Sequence, residues 1–253
     1  MKAIRKLAKS VRKRTGRLLG SPLDPGEFLR RETIAGAYLR GDGIEIGALH
    51  HPTKAGPGAR VKYVDRMAEP ELRRQYPELD SENLVRVDII DDGETLRTFR
   101  DATQDFVIAN HFVEHCEDPI GAVGNMLRVL KEGGVLFMAI PDKRFTFDRD
   151  RPVTPLEHLL RDHDEAPAWS RRQHYEEWAR LVNNVRDSPG LQSEVERLMA
   201  TRYAIHYHVW TQLEMLEFIL ALRKMWSFEV ELVLKRKNEV IFILKRCPGP
   251  QVP

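Results

Sequence analysis

The sequence predicts an α/β domain built on a seven-stranded, mostly parallel sheet with an antiparallel last strand. A helical insertion is expected between the fifth and sixth strands. Three observations carry this. From residue 42 to 142, strand-length apolar runs alternate with helical patterns. The run Asp105-Phe106-Val107-Ile108-Ala109-Asn110 is apolar on both faces, as a strand buried between two layers must be. The chain then closes on two strand-length runs joined by Arg236-Lys237-Asn238. A length of 253 residues suits one large domain, or a core with one insertion.

The elements follow in order. Residues 1–20 carry eight basic side chains (Lys2, Arg5, Lys6, Lys9, Arg12, Lys13, Arg14 and Arg17) and no acid. Ile4, Leu7, Val11 and Leu18 fall on one side of a helix. The segment reads as a basic amphipathic unit suited to an anionic membrane surface, or as a solvated basic tail. Ser21-Pro22-Leu23-Asp24-Pro25-Gly26 interrupts any helix, and 27–39 read as a short helix that opens a domain spanning 27–247. Ile44–Gly47, Arg60–Asp65, Leu84–Asp91 and Asp105–Asn110 are the first four strands. Only about twelve residues link the first to the second, and Pro52, Gly56, Pro57 and Gly58 oppose a helix there, so that crossover is expected to be a loop. Asp118-Pro119 places an N-cap and a first-turn proline ahead of a helix whose stripe is Ile120, Val123, Leu127 and Leu130. Gly133-Gly134 is expected to cap that helix, and Val135–Ile140 is the fifth strand.

Residues 142–205, rich in Arg, Asp, His and Trp, form the insertion and the expected acceptor-binding region. Thr211-Gln212-Leu213-Glu214 has the spacing of a capping box opening a helix to about Lys224. Phe228–Lys235 and Glu239–Lys245 are the final strands, the second apolar throughout and so central.

Composition narrows the function classes. Without residues 1–20, 32 basic residues face 38 acidic ones, a body of net charge −6 that does not favour nucleic acid. Two cysteines, Cys116 and Cys247, exclude a disulfide scaffold and a four-cysteine zinc site. No apolar run is long enough to span a bilayer and no secretory signal is visible, so a cytoplasmic location is expected, with peripheral membrane contact through residues 1–20 as its one variant.

In an open parallel sheet, ligands bind beyond the carboxyl ends of the strands. After the first strand stand Gly47-Ala48, ending the second is Asp65, and after the third come Asp92-Gly93-Glu94. Asn110-His111 follows the fourth strand, with Glu114-His115 one turn on. Carboxylates in this register suit a ribose diol and an amino-bearing ring, because a charged acceptor takes hydroxyl and amino hydrogens strongly. No Gly-x-Gly-x-x-Gly turn follows the first strand, which weighs against a dinucleotide.

Glu45-Ile46-Gly47, Tyr63-Val64-Asp65, Asp92-Gly93-Glu94-Thr95-Leu96 and Asp105–His111 with Glu114-His115 resemble the successive motifs of class I S-adenosylmethionine-dependent methyltransferases, of the type 11-like kind. Leu127–Gly134 and the strand after it fit the same pattern, and the resemblance covers about residues 42–142. It implies a Rossmann-like fold and S-adenosylmethionine as cofactor. It implies Glu45, Gly47 and Ala48 beside the methionine part, Asp65 on the ribose diol, Asp92 and Gly93 at the adenine, and Asn110 and His111 lining the pocket near the sulfonium. Similar bacterial methyltransferases often serve polysaccharide biosynthesis or glycosylated-metabolite pathways.

Methylation of an alcohol requires removal of its proton, and neutral histidine is the usual acceptor near pH 7. His111, just past the fourth strand, is the first candidate base. His208, ahead of the Thr211 helix, is the second. His158 and Asp162, four apart, with His163 and Asp164 adjacent, could aim at a metal, but interleaved His and Asp on a charged helix read as a solvated face, and no metal site is expected. The function expected is O-methylation of a sugar, glycan or glycosylated small molecule. A lipid-like acceptor at the membrane and a non-catalytic, methyltransferase-like binding subunit are the alternatives. The sequence leaves the oligomeric state open.

Overall fold

The computed structural model describes residues 29–249. The basic segment 1–20 lies outside them. Five strands alternate with helices and loops: β1 (Gly41–Ile46), β2 (Ala59–Asp65), β3 (Ile89–Ile90), β4 (Gln104–Asn110) and β5 (Leu130–Pro141). The chain ends on β6 (Phe228–Arg236) and β7 (Glu239–Arg246), and the sheet order is β3-β2-β1-β4-β5-β7-β6. All neighbouring pairs among β1–β5 are parallel, whereas β7 is antiparallel to both β5 and β6. After β3 the chain returns to the other side of β1 to form β4. Strand order therefore reverses between β1 and β4, which makes the crevice above their carboxyl ends the expected ligand site.

The two-residue period of the central strands sorts their side chains into two cores. Ile44, Val107, Ala109, Met138 and Phe242 pack with α3 (Pro119–Val129) and α7 (Gln212–Met225). Phe106, Ile108, Phe137 and Ile243 pack beneath Ile34, Ala35 and Leu39 of the helix α1 (Arg31–Tyr38) and its end. Between β2 and β3 lies the short helix α2 (Glu69–Gln75). The insertion holds α4 (Leu156–Glu165), α5 (Arg171–Leu181) and α6 (Ser188–Ala200), with a small core of its own around Tyr175, Trp178, Val195 and Ile205. No helix among the described residues is long and apolar enough to cross a membrane.

Local chemistry explains the boundaries. Asp118 caps α3 by accepting the Gly121 amide at 2.8 Å, and Pro119 occupies the first turn. Thr211 and Glu214 form the expected capping box of α7, the Thr211 amide donating to Glu214 at 2.9 Å. The β1–β2 crossover, residues 47–58, is a loop.

Two expectations are corrected. Gly133 and Gly134 do not cap α3, which stops at Val129 with Leu130 already extended. The Ala102 and Thr103 amides donate to the carbonyls of Arg128 and Val129 at 3.0 and 2.9 Å, so the approach to β4 satisfies the helix end. Gly133, at φ +74°, instead lies in extra residues between the Leu130–Gln104 and Val135–Phe106 pairs. The third strand is two residues long, not eight. Upstream of it the Asp88 carboxylate accepts the Tyr63 amide at 2.9 Å and the Val85 amide turns to Leu49 O at 2.8 Å, so those groups leave the ladder.

Candidate active site

The crevice is built from strand ends. At the end of β1, Gly47 adopts φ +64°, a left-handed turn that a side chain would strain. At the end of β3, a Cβ on Gly93 would lie 2.5 Å from both Ile46 and Phe112, so only glycine lets the loop close down on this floor. Above it is a cavity of about 480 Å³, within the range of small-molecule sites, lined by Gly47, Asp65, Asp92, Gly93, His111 and Phe112 among others. Asp65 is largely desolvated, and burial raises its pKa against the hydrogen bonds of the Arg66 and Met67 amides. Asp91 takes the Thr98 amide and hydroxyl at 2.9 and 2.7 Å and so braces the loop, leaving Asp92 exposed beside the cavity.

A second cavity, about 1210 Å³, opens beside the first over the β1–β2 loop. Glu45, Ala48 and Asn110 line it. Glu45 is buried, and both its oxygens are engaged by Thr53, whose amide lies 2.9 and 3.0 Å away and whose hydroxyl donates at 2.7 Å. It therefore pins the loop from within. Asn110 donates to the Thr53 hydroxyl at 2.7 Å, while its Oδ1 is buried with no donor. Gly47 and His111 line both cavities and stand where they meet.

His111 is held with unusual firmness for a loop residue. Its backbone takes φ +49°, and its amide donates to Ala139 O at 2.8 Å. Its Nε2 lies 3.0 Å from Glu239, the first residue of β7. Burial pushes the Glu239 carboxyl up, but the hydrogen bonds from His111 and Arg31 outweigh it and hold its pKa at about 2. An ionised Glu239 accepts from Nε2 and so orients the ring, leaving Nδ1 as its other nitrogen.

The insertion supplies a second pair to the wall of the first cavity. His206 Nδ1 is 2.7 Å from Asp148, whose other oxygen takes the fully buried Arg151 guanidinium at 2.9 Å. Arg151 also donates to Glu177 at 2.7 Å and to the carbonyl of His206 at 2.7 Å. Beside them Glu114 is buried; neither of its carboxylate oxygens is hydrogen-bonded, and Oε1 lies 3.7 Å from His111 Nδ1. Burial raises the Glu114 pKa, and burial lowers that of His115 to about 3, so the His115 ring is neutral near pH 7.

The structure brings Gly47, Asp65, Asp92, Gly93 and His111 to one cavity, and Glu45, Ala48 and Asn110 to its neighbour. His208 is not with them. It is completely buried and lines neither cavity, because the packing of α4 and α5 draws it into a cluster with His158, Asp162 and His174. The solvated face expected for His158–Asp164 also needs correcting: Asp162 is fully buried, and His163 turns to the α3 cap Asp118 at 2.9 Å. The residues not singled out in advance, Asp148, Arg151 and Glu239, sit in charged stretches that look solvated. No periodicity marks them.

Residues 41–138 match the family model described as a methyltransferase domain. Among solved structures, the chain resembles an S-adenosylmethionine-dependent methyltransferase of Methanosarcina mazei at 15% identity, over 85% of this chain and 98% of that one, with a TM-score of 0.46. It also resembles a Pyrococcus horikoshii protein at 19% identity, over 90% and 93%, TM-score 0.48. A third is an S-adenosylmethionine-dependent methyltransferase of Aquifex aeolicus at 12% identity, over 90% and 95%, TM-score 0.45. A comparison with curated proteins finds no match. Residues 41–138 therefore form a methyltransferase domain, of the class I kind that takes S-adenosylmethionine as cofactor. The residues fit that group: Asp65 is an acceptor without a side-chain partner, and Asn110 Oδ1 is a buried acceptor without a donor.

Proposed function

We propose that this methyltransferase acts on a hydroxyl of a sugar, glycan or glycosylated small molecule, with His111 as general base. The observation that carries the reading is the His111–Glu239 pair at the junction of the two cavities. S-adenosylmethionine supplies a methyl group on a sulfonium. Asp65 would accept the ribose hydroxyls, Asp92 and Gly93 would meet the adenine, and Gly47, Ala48 and Asn110 would face the methionine part. The chain's remaining task is to hold the acceptor oxygen in line and take its proton. His111 Nδ1 is the atom that receives it, and the ionised Glu239 then stabilises the imidazolium. Pairing with a carboxylate also keeps the ring from rotating, as in the histidine–carboxylate pairs of hydrolases.

Aromatic surface supports the sugar reading. Phe147 is more than half exposed and, with Trp178, reaches the wall of the first cavity, while Phe145 and Trp169 are exposed on the same insertion. Flat apolar faces beside charged pairs suit pyranose rings, which present apolar faces and hydroxyl edges. A second reading of the base rests on one distance: the 2.7 Å His206–Asp148 contact would leave His206 Nε2 as the proton acceptor in the same cavity. The test is transfer of labelled methyl from S-adenosylmethionine to panels of free sugars, oligosaccharides, glycosides and lipid-like alcohols, with the methylated atom located by mass spectrometry and NMR. Methyl on a sugar oxygen supports the proposal. Methyl on nitrogen or carbon, or on lipid alcohols alone, overturns it.

A further inference from the structure

Four potential ligands converge in the insertion, away from the cavities just described. His158 and Asp162 lie one turn apart on α4, His174 comes from α5, and His208 comes from the segment before α7. Each can present one nitrogen or oxygen such that all four atoms lie within 4.8 Å of one another. His158 Nε2 is 3.0 Å from His174 Nε2 and 3.1 Å from Asp162 Oδ2, and His208 Nε2 is 3.7 Å from the same oxygen. An ion with ligands at about 2.0–2.1 Å in a tetrahedron holds them about 3.3 Å apart. The observed separations bracket that edge.

The hydrogen bonding points the same way. Asp162 Oδ2 has His158 Nε2 at 3.1 Å and is buried without a hydrogen bond; of the His208 ring, Nε2 lies 3.3 Å from Glu117 O while Nδ1 is buried without a partner. His158 Nε2 and His174 Nε2 are within hydrogen-bonding reach at 3.0 Å, so it is the two unpartnered buried atoms that point to a shared centre. The rest of the carboxylate is fixed from outside: Asp162 Oδ1 accepts the hydroxyl of the fully buried Ser170 at 2.7 Å. Such outer contacts orient metal ligands. Three of the four residues are buried, and His158 is the only partly accessible member.

We propose that His158, Asp162, His174 and His208 bind one divalent transition-metal ion, zinc by ligand type and number. Three imidazoles and one carboxylate fill a tetrahedron and leave no open position, so the ion is structural. It would clamp α4, α5 and the 206–210 segment together. That segment carries His206 to the cavity wall, so the clamp would set the wall from behind.

The test uses the full-length chain, stripped with a chelator and dialysed, with zinc alone as the probe. About one zinc per chain should bind, and the melting temperature should rise by several degrees or more, because an ion that binds only the folded state stabilises it. Asp162→Asn and His174→Gln should each reduce bound zinc at least about tenfold, whereas His206→Gln should keep it. Neither readout depends on the acceptor or on methyl transfer. Absence of stoichiometric zinc in the stripped wild-type chain, with its melting temperature unmoved, overturns the site. Loss of zinc in His206→Gln with retention in His174→Gln overturns the assignment in favour of Glu114, His115 and His206. If the variants fail to fold, the wild-type zinc titration decides alone.

Discussion

Between Gly41 and Pro141 the polar groups of the site stand where strands end; between Asp142 and Trp210 they lie on turns and coil that meet only through tertiary packing. Asp65 closes β2, Asp92 follows β3, and His111 follows β4, so three positions far apart in the chain share one cavity because their strands are neighbours in the sheet. Asp148, Arg151 and His206 share a network across more than fifty residues, and nothing repeats along the chain to announce it. The difference is one of mechanism. A parallel sheet converts sequence position into spatial position by a fixed rule, whereas an insertion does so through a core of its own, which must be solved as a whole.

The comparison is broken most forcefully at Arg151. Its guanidinium is fully buried and answers Asp148, Glu177 and the carbonyls of His206 and Tyr207. Arg151→Ala leaves Asp148 buried beside an unfilled space. Removing one partner of a buried pair costs about 3–5 kcal/mol, or on the order of 10 °C in melting temperature for a chain of this size. Calorimetric unfolding checks it. A shift below about 2 °C would mean that the insertion adds little to global stability. Cofactor affinity should fall less than stability, since Asp65, Asp92 and Gly93 belong to the sheet.

The next effect concerns chemistry. His111→Ala should lower kcat by about a hundredfold or more while S-adenosylhomocysteine affinity changes little, as loss of a general base does. His206→Ala, measured beside it, assigns the base. If His111→Ala keeps near-normal kcat and His206→Ala does not, the proton leaves toward the insertion. Asp65→Ala should act on the other quantity. Loss of bonds to a charged acceptor is worth about 1.5–3 kcal/mol, or roughly ten- to a hundredfold in cofactor affinity. Titration calorimetry with S-adenosylhomocysteine measures it, and unchanged affinity in a folded variant removes Asp65 from the cofactor site.

These tests also show how far the sequence could be read. The strands were legible because Phe106, Ile108, Val107 and Ala109 divide cleanly between two cores. The starts of α3 and α7 were legible because Asp118-Pro119 and Thr211–Glu214 act through local hydrogen bonds. Gly133 misled because the helix end is satisfied by residues 102 and 103, from a different part of the chain. The third strand misled because Asp88 competes with the ladder through its side chain. His208 misled for the same kind of reason: its position in the chain, next to His206, says nothing about which of two histidine clusters its ring joins. Glu239 could have been noticed as an acid at the start of an otherwise apolar central strand.

The smallest predicted effect lies inside the first region, at its seam with the insertion, where Arg171 pairs with Glu117. Glu94 follows β3, but its carboxylate takes the amides of Glu117 and Asp118 at 3.2 and 3.3 Å, just ahead of α3. Burial, reinforced by neighbouring Asp92 and Glu117, outweighs those hydrogen bonds and lifts its pKa from 4.5 to about 7. The folded chain therefore binds this proton more tightly than the unfolded one. Stability from this group is full below about pH 4.5, falls as pH rises toward about 7, and is flat above that. The adjoining cavities admit water, so the loss is on the order of 1–2 kcal/mol rather than the full shift. Glu94→Gln removes the titration. Its melting temperature relative to wild type should rise between pH 5 and pH 8, by several degrees at most. A difference that stays constant across that range would show that the carboxyl titrates normally, with water reaching the seam freely enough to erase the cost of burial.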